Sequence, residues 1–198
     1  RWVDISNKDY GLTWVTPDAP LVQVGGITAN LIGGLAGSPL WLEHIESSPT
    51  IYSWAMNNHW HTNYRAEQEG PTVFRYFIFP HARGYSKEEA VRHAVEGTQP
   101  LLVLPARGEV PVPPLTVQGS PGAQGLQVTA FKPSEDGKAR IVRLLNLTDK
   151  VEQAKLTWAN PLPKAVYVSD ASEQPGAPVN GPVEVPPQSI VTLRAELP

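Results

Sequence analysis

Short stretches of β-branched and aromatic residues, separated by turn formers, run through the first third of the chain. Residues 12–15 and 21–24 flank the turn sequence at 16–20, and residues 50–64 and 72–79 are rich in Ile, Tyr, Trp, Thr and Phe. Such segments are typical of β-strands. The run 72–79 is apolar on both alternating faces except at Arg75. This pattern predicts a central strand covered on both sides, with a partner for Arg75.

One short helix is predicted at residues 86–97. Ser86 and Glu89 have the spacing of a capping box, and Gly97 is expected to end the helix. A helix of about ten residues is marginal by itself, so we expect it to dock through its apolar face. That face consists of Ala90, Val91, Ala94 and Val95. The apolar run 101–104 that follows predicts a buried strand.

The second half of the chain carries a different pattern. Residues 105–114 are rich in proline and favour an extended, semi-rigid linker. Alternating residues at 126–130, a turn at 133–137 and a second strand-like segment at 140–147 predict a hairpin. Further strands are predicted at 151–158, 165–168, 183–185 and 190–197. We therefore expect an all-β chain with one domain at 1–105, a linker at 106–115 and a small β-sandwich at 116–198.

Composition narrows the class of protein. The 198 residues include 16 Gly and 21 Pro with only 18% charged residues, which argues against long helices. Sixteen basic against 19 acidic residues, without a basic stripe, predict neither a nucleic-acid nor a membrane-surface partner. No apolar run is long enough to cross a bilayer. The absence of Cys excludes thiolate chemistry but leaves the cellular compartment open.

The sole methionine is Met56, and the chain begins at Arg1 in sequence that already has strand character. We therefore expect the 198 residues to be a piece of a longer protein. A piece can lack the residues that perform the chemistry of the whole.

The most polar and aromatic stretch lies at residues 54–65. In an extended conformation its side chains alternate between two faces, with amides and imidazoles beside aromatic rings. Aromatic rings stack on the C–H faces of sugars, and amides bind their hydroxyls, so this composition suits a carbohydrate. A sheet edge with satisfied polar side chains is the alternative. The candidate sugar-contacting residues are Asn57, Asn58, His59, Trp60 and Tyr64.

Other candidate chemistry is weaker. His59 and His61 have the spacing of a metal pair, but no Asp, Glu or Cys completes a ligand set, so no metal is predicted. The carboxylate pairs 43/46 and 67/69 lie in polar sequence and are expected to be solvated surface. Asn146 begins a glycosylation sequon by pattern only, and at the end of a strand it needs no sugar.

Several of these stretches together resemble the C-terminal region of glycoside hydrolase family 38 α-mannosidases. The resemblance is carried by residues 52–64 around Asn-Asn-His-Trp, by 70–76 and 80–81, by the Lys-Pro-Ser-Glu-Asp-Gly hairpin at 132–137, and by Leu-Leu-Asn-Leu-Thr at 144–148. It implies part of a galactose-mutarotase-like supersandwich with one short helix, followed by a small terminal β-sandwich.

The resemblance also implies that the catalytic residues of the parent enzyme lie outside this chain. Enzymes of that family are retaining exo-glycosidases with an aspartate nucleophile and a zinc ion, both in an N-terminal domain. Their His-x-Asp and His-His-Asp zinc motifs do not occur here. The resemblance thus implies a non-catalytic region without a cofactor of its own, partnered by the zinc-containing catalytic domain of the same parent chain. It further implies that this region braces that domain and that the five candidate residues line its substrate groove.

Two alternatives from other classes remain open at this point. The chain could be an independent carbohydrate-binding module that holds a free glycan on the face of Asn58, His59 and Trp60. It could also be a β-sandwich that binds another protein.

Overall fold

The computed structural model describes residues 1–27, 44–56, 65, 67–99, 101, 103, 105, 108, 112–121 and 124–198. The chain forms two compact units, Arg1–Leu102 and Val103–Pro198. In the described residues almost all regular structure is β, and they include one helix, which confirms the all-β class. Half of the linker expected at 106–115 lies outside the described residues, so the predicted domain boundaries stay a prediction. Within the described part of the chain, no helix is long and apolar enough to cross a membrane.

The first unit is built on a three-stranded antiparallel sheet. Its strands are β1 (Trp2–Ser6), β2 (Tyr10–Val15) and β5 (Phe77–Ala82), in the order β1-β2-β5. A second, two-stranded sheet pairs β3 (Val22–Val24) with β4 (Ile51–Ser53). Both strands predicted around the turn at 16–20 are therefore present, but they belong to different sheets and do not pair with each other.

The prediction of a doubly covered central strand at 72–79 is wrong. The strand begins only at Phe77, and within the described residues it is an edge strand that pairs with β2 alone. Ile78 is 62% exposed and Val73 is 78% exposed. The strand also continues through Pro80. Proline cannot donate a backbone hydrogen bond to a neighbouring strand, so it is tolerated in an edge strand and not in a central one.

The single helix, α1 (Lys87–Thr98), packs on one face of the three-stranded sheet. Its N-terminus has the predicted cap, since the Ser86 hydroxyl accepts a hydrogen bond from the backbone N–H of Glu89 at 3.3 Å. The predicted stop at Gly97 is wrong, because Gly97 lies inside the helix and is buried. A Cβ there would stand 3.1 Å from both Phe77 and Val15, so glycine permits close packing of helix on sheet.

The buried strand predicted at 101–104 is also wrong for its described residues. Leu101 and Val103 lie outside any strand and are 94% and 93% exposed. An apolar run identifies a buried strand only where a neighbouring element covers it, and the described part of the chain offers none there.

The second unit is a sandwich of two antiparallel sheets, as predicted. One sheet has the order β10-β12-β8-β7 and the other β11-β9-β6. The strands are β6 (Leu115–Gln118), β7 (Leu126–Pro133), β8 (Ala139–Asn146), β9 (Glu152–Trp158), β10 (Val166–Ser169), β11 (Val183–Val185) and β12 (Ile190–Glu196). The predicted hairpin is confirmed as β7 and β8.

The core of the second unit lies between its two sheets. Alternate residues point inward along each strand, so the pleat itself selects the buried set. Its fully buried side chains come from both sheets and are Val142, Leu144, Ala154, Val183, Val185 and Leu193.

Candidate functional site

The predicted sugar-contacting residues cannot be placed by the structure. Asn57, Asn58, His59, Trp60 and Tyr64 lie outside the described residues, as does His61. The segments on either side of them are described, and they carry aromatic and polar contacts.

The flanks of that stretch meet at Tyr76. Its hydroxyl shares a hydrogen bond with the hydroxyl of Ser53, at the end of β4, at 2.8 Å. Its ring lies 5.5 Å from the ring of Trp14 on β2. The residue before the stretch and the segment after it are thus tied together through one tyrosine, which remains 37% exposed.

Arg75 has the partner that its apolar surroundings predicted. Its Nε and Nη2 donate to the two carboxylate oxygens of Asp18, each at 2.9 Å, and its backbone N–H donates to the same group at 2.9 Å. These hydrogen bonds lower the pKa of Asp18 to about 2. The pair is solvent-exposed, so it orients the segment more than it stabilises the fold.

A buried polar centre joins all three strands of the first sheet. The Asp4 carboxylate on β1 accepts hydrogen bonds from Thr13 Oγ1 at 2.7 Å, Ser6 Oγ at 2.8 Å and His81 Nε2 at 3.0 Å. Burial pushes the pKa of Asp4 upward, but these hydrogen bonds together outweigh it, and the pKa is lowered. His81 reaches Asp4 across the middle strand because Gly11 has no side chain: a Cβ there would lie 2.4 Å from the imidazole.

This centre does not have the arrangement of a nucleophilic triad. The second ring nitrogen of His81, Nδ1, faces the backbone carbonyl of Arg83 at 3.2 Å rather than a hydroxyl. A triad needs an imidazole nitrogen directed at the nucleophile. We therefore interpret Asp4 and His81 as structural residues that fasten β1 and β5 across β2.

The second unit contains an ionic network centred on Arg194. This side chain is 5% exposed, and it donates to Asp136 and Glu196, each at 2.7 Å, and to the Glu173 carbonyl at 3.0 Å. The Glu173 carboxylate pairs with Lys132 and accepts from the backbone of Glu135.

The network lowers the pKa of two of its carboxyl groups. Hydrogen bonds from Arg194, from Ser134 and from the backbone of Lys138 lower the pKa of Asp136, and the bond from Lys132 lowers that of Glu173. Every partner is already engaged within the protein. The network therefore holds the loops against the outer face of the sheet, and it is not a reactive site.

An open cavity of about 340 Å³ lies in the second unit beside β9 and β10. Its walls are mainly apolar, and Lys155 is the single charged residue that lines it. The lining residues are Lys155, Leu156, Trp158, Val166, Val179, Gly181 and Pro182.

Candidate catalytic acids and metal ligands do not assemble in the described residues. Glu46, Glu67 and Glu69 are exposed, as expected for solvated surface, and Glu43 lies outside the described part. Over the same described ranges, no three His, Asp or Glu side chains come together as a metal site.

Asn146 is a structural residue that sequence reasoning singled out only as a sequon. Its side chain is completely buried, and its Nδ2 donates to the carbonyls of Lys150, Val185 and Pro186 at 2.7, 3.0 and 3.1 Å. An amide in this position is not accessible to glycosylation. The sequence signal was an asparagine directly after the apolar pair Leu144-Leu145 at the end of a strand.

Part of the second unit matches a known protein family. Residues 125–193, about a third of the chain, match the family described as glycosyl hydrolases family 38 C-terminal beta sandwich domain. No curated protein matches the chain. Residues 125–193 of the second unit thus match the model of this family 38 domain, in agreement with the resemblance found in the sequence.

Solved structures extend the likeness in fold to the whole chain. An α-mannosidase from Enterococcus faecalis V583 is similar over 98% of this chain, with 18% identity and a TM-score of 0.56. A protein in the glycosyl hydrolase family 38 from the same species is similar over 98%, with 17% identity and a TM-score of 0.57. The chain spans about one fifth of the length of these structures, 20% and 22% respectively.

Proposed function

We propose that this chain is the non-catalytic C-terminal region of a family 38 α-mannosidase and that it braces a catalytic domain in the same polypeptide. The match of residues 125–193 to the family 38 C-terminal domain carries the proposal. The parent cleaves terminal α-mannosides by a retaining mechanism, and the aspartate nucleophile and zinc ion belong to its catalytic domain.

Exposed apolar side chains on one sheet face, among the described residues of the first unit, support the bracing role. Helix α1 packs on one face of the β1-β2-β5 sheet, toward which Val15 and Phe77 point. Residues of the opposite parity, including Tyr10 and Ile78, are 68% and 62% exposed. Large apolar side chains grouped on one sheet face are characteristic of a surface that packs against more protein.

The finer part of the proposal concerns the substrate. Asn57, Asn58, His59, Trp60 and Tyr64 line the substrate groove of the assembled enzyme, where amides bind sugar hydroxyls and Trp60 stacks on the ring. Ser53 and Tyr76 lie on either side of this stretch, and the hydrogen bond between them and the ring contact of Tyr76 with Trp14 support its use as a binding segment.

The coding sequence upstream of Arg1 tests the bracing proposal directly. We expect it to encode an α/β domain with His-x-Asp and His-His-Asp motifs, and its absence would overturn the proposal. In addition, the purified 198 residues are expected to show neither turnover of an aryl α-mannoside nor stoichiometric zinc. Activity or bound zinc in the isolated chain would contradict a non-catalytic role.

Calorimetry with mannose oligosaccharides separates this role from an independent carbohydrate-binding module. A groove lining that is incomplete without the catalytic domain predicts no saturable binding by the isolated chain. Saturable binding that is lost in Trp60→Ala would instead identify a module.

A further inference from the structure

We propose that Asn180 is a site of spontaneous deamidation, through which the second unit acquires a negative charge at the rim of its 340 Å³ cavity. Asn180 and Gly181 form the single Asn-Gly dipeptide of the sequence. Asparagine is among the thermolabile residues of proteins, and a glycine after it leaves its backbone nitrogen unshielded.

The fold leaves both reacting groups free. Asn180 and Gly181 are exposed and lie between two fixed points, the hydrogen bond from Val179 N–H to the Val166 carbonyl at 2.8 Å and the pairing of Val183 with Ala154. Within the described part of the chain, neither the Asn180 amide nor the Gly181 N–H makes a hydrogen bond. A Cβ built on Gly181 would meet nothing within 4 Å, so the approach to its nitrogen is open.

Other asparagines of the described part lack this combination. The Asn146 amide is buried and held by three carbonyls. Asn160 precedes Pro161, which has no N–H. The Asn7 side-chain oxygen accepts from two backbone N–H groups, at 2.8 and 2.9 Å. Asp136, in the sole Asp-Gly dipeptide, is engaged by Arg194.

The chemistry needs only water. The Gly181 backbone nitrogen gives its proton to a base and attacks Cγ of Asn180, so a C–N bond forms while the bond from Cγ to Nδ2 breaks. Nδ2 leaves as ammonia and takes up a proton. Water then opens the resulting five-membered imide at either carbonyl, which yields aspartate or isoaspartate. No group is oxidised or reduced.

The product changes the cavity in two ways. A carboxylate replaces a neutral amide next to Gly181 in a wall whose single charged residue is Lys155, and the formal charge of the chain becomes one unit more negative than −3. In the isoaspartate product the main chain also gains one methylene between residues 180 and 181, which lengthens the wall.

Incubation of the purified 198-residue chain in mildly alkaline buffer made with ¹⁸O-labelled water tests the proposal. We expect peptide mapping to show ¹⁸O incorporation and isoaspartate at position 180 before any other asparagine of the described part reacts, together with a more acidic band on isoelectric focusing. Gly181→Ala is the matched control, since its side chain enters open space at a backbone conformation without positive φ. We expect it to slow the reaction by about an order of magnitude by shielding the nitrogen.

Three results would overturn the proposal. Asn180 could stay intact in the folded chain while it reacts in urea, which would mean that the fold protects it. It could react no faster than Asn7, or Gly181→Ala could leave its rate unchanged. Each of these readouts is independent of sugar binding and of mannosidase activity.

Discussion

Replacement of Asn146 by alanine tests whether one buried amide holds the two sheets of the second unit together. The residue ends β8 and is 0% exposed. It donates to three carbonyls, one of them on Val185 at the end of β11 in the opposite sheet. Its oxygen accepts from the backbone and hydroxyl of Thr148 at 2.9 and 2.8 Å. Asn146→Ala removes all five contacts.

The size of the destabilisation depends on which of the three carbonyl groups can form a replacement hydrogen bond with water. The contact with the Val185 carbonyl is buried, while those with Lys150 and Pro186 are only partly buried. A buried polar group left without a partner costs about 1–3 kcal/mol. One or two such groups, together with the small cavity left by the amide, predict a loss of about 2–4 kcal/mol in the free energy of unfolding.

Urea unfolding followed by circular dichroism measures this loss, and hydrogen exchange of peptides from β8 and β11 localises it. Asn180→Ala is the matched control, because Asn180 is an exposed asparagine of the same unit and makes no hydrogen bond within the described residues. Its effect is expected to stay within about 0.5 kcal/mol of zero. If Asn146→Ala costs no more than this control, the buried amide does not tie the sheets together.

Three further predictions concern both units. Gly11→Ala places a Cβ 2.4 Å from the His81 ring and is expected to destabilise the first unit by about 1–3 kcal/mol in thermal unfolding, whereas an unchanged melting temperature would contradict this packing. Arg194 lowers the pKa of Asp136, and Lys132 lowers the pKa of Glu173. The two ion pairs therefore stabilise the fold at pH values above the usual pKa range of carboxyl groups, and this stabilisation is lost as the pH falls below about 4. Melting temperatures of the second unit that do not fall in acid would refute that contribution. Asp18→Asn weakens the hydrogen bonds to Arg75, so we expect trypsin to cleave after Arg75 severalfold faster. Asp170→Asn, at an exposed position of the second unit, is the control and is expected to leave the cleavage rate unchanged.

Elements that depend on neighbouring residues were predictable from the chain alone. The Ser86 cap and the hairpin of β7 and β8 each depend on a few adjacent positions. The sandwich follows from several such strands in succession. The residue types of the stretch 54–65 likewise predicted that it binds a carbohydrate, and this role stays a prediction.

Contacts between distant residues were not predictable in this way. His81 and Asp4 lie 77 positions apart and meet only because β1 and β5 flank β2 at Gly11. Nothing in the pattern at 190–196 indicates that Arg194 is buried, since its burial depends on loops that contain Asp136 and Glu173.

The sequence by itself determined the all-β class, the positions of six of the seven strands of the second unit, and the family resemblance, because each depends on residue type and local spacing. The seventh strand, β6, was missed because it begins at Leu115, inside the segment predicted as a linker. The tertiary structure decided that the aromatic run ending at Phe79 lies at an edge, that Gly97 belongs inside the helix, and that Asn146 is a buried tie. The physical reason is that burial depends on which element covers a residue, and that element can be anywhere else in the chain.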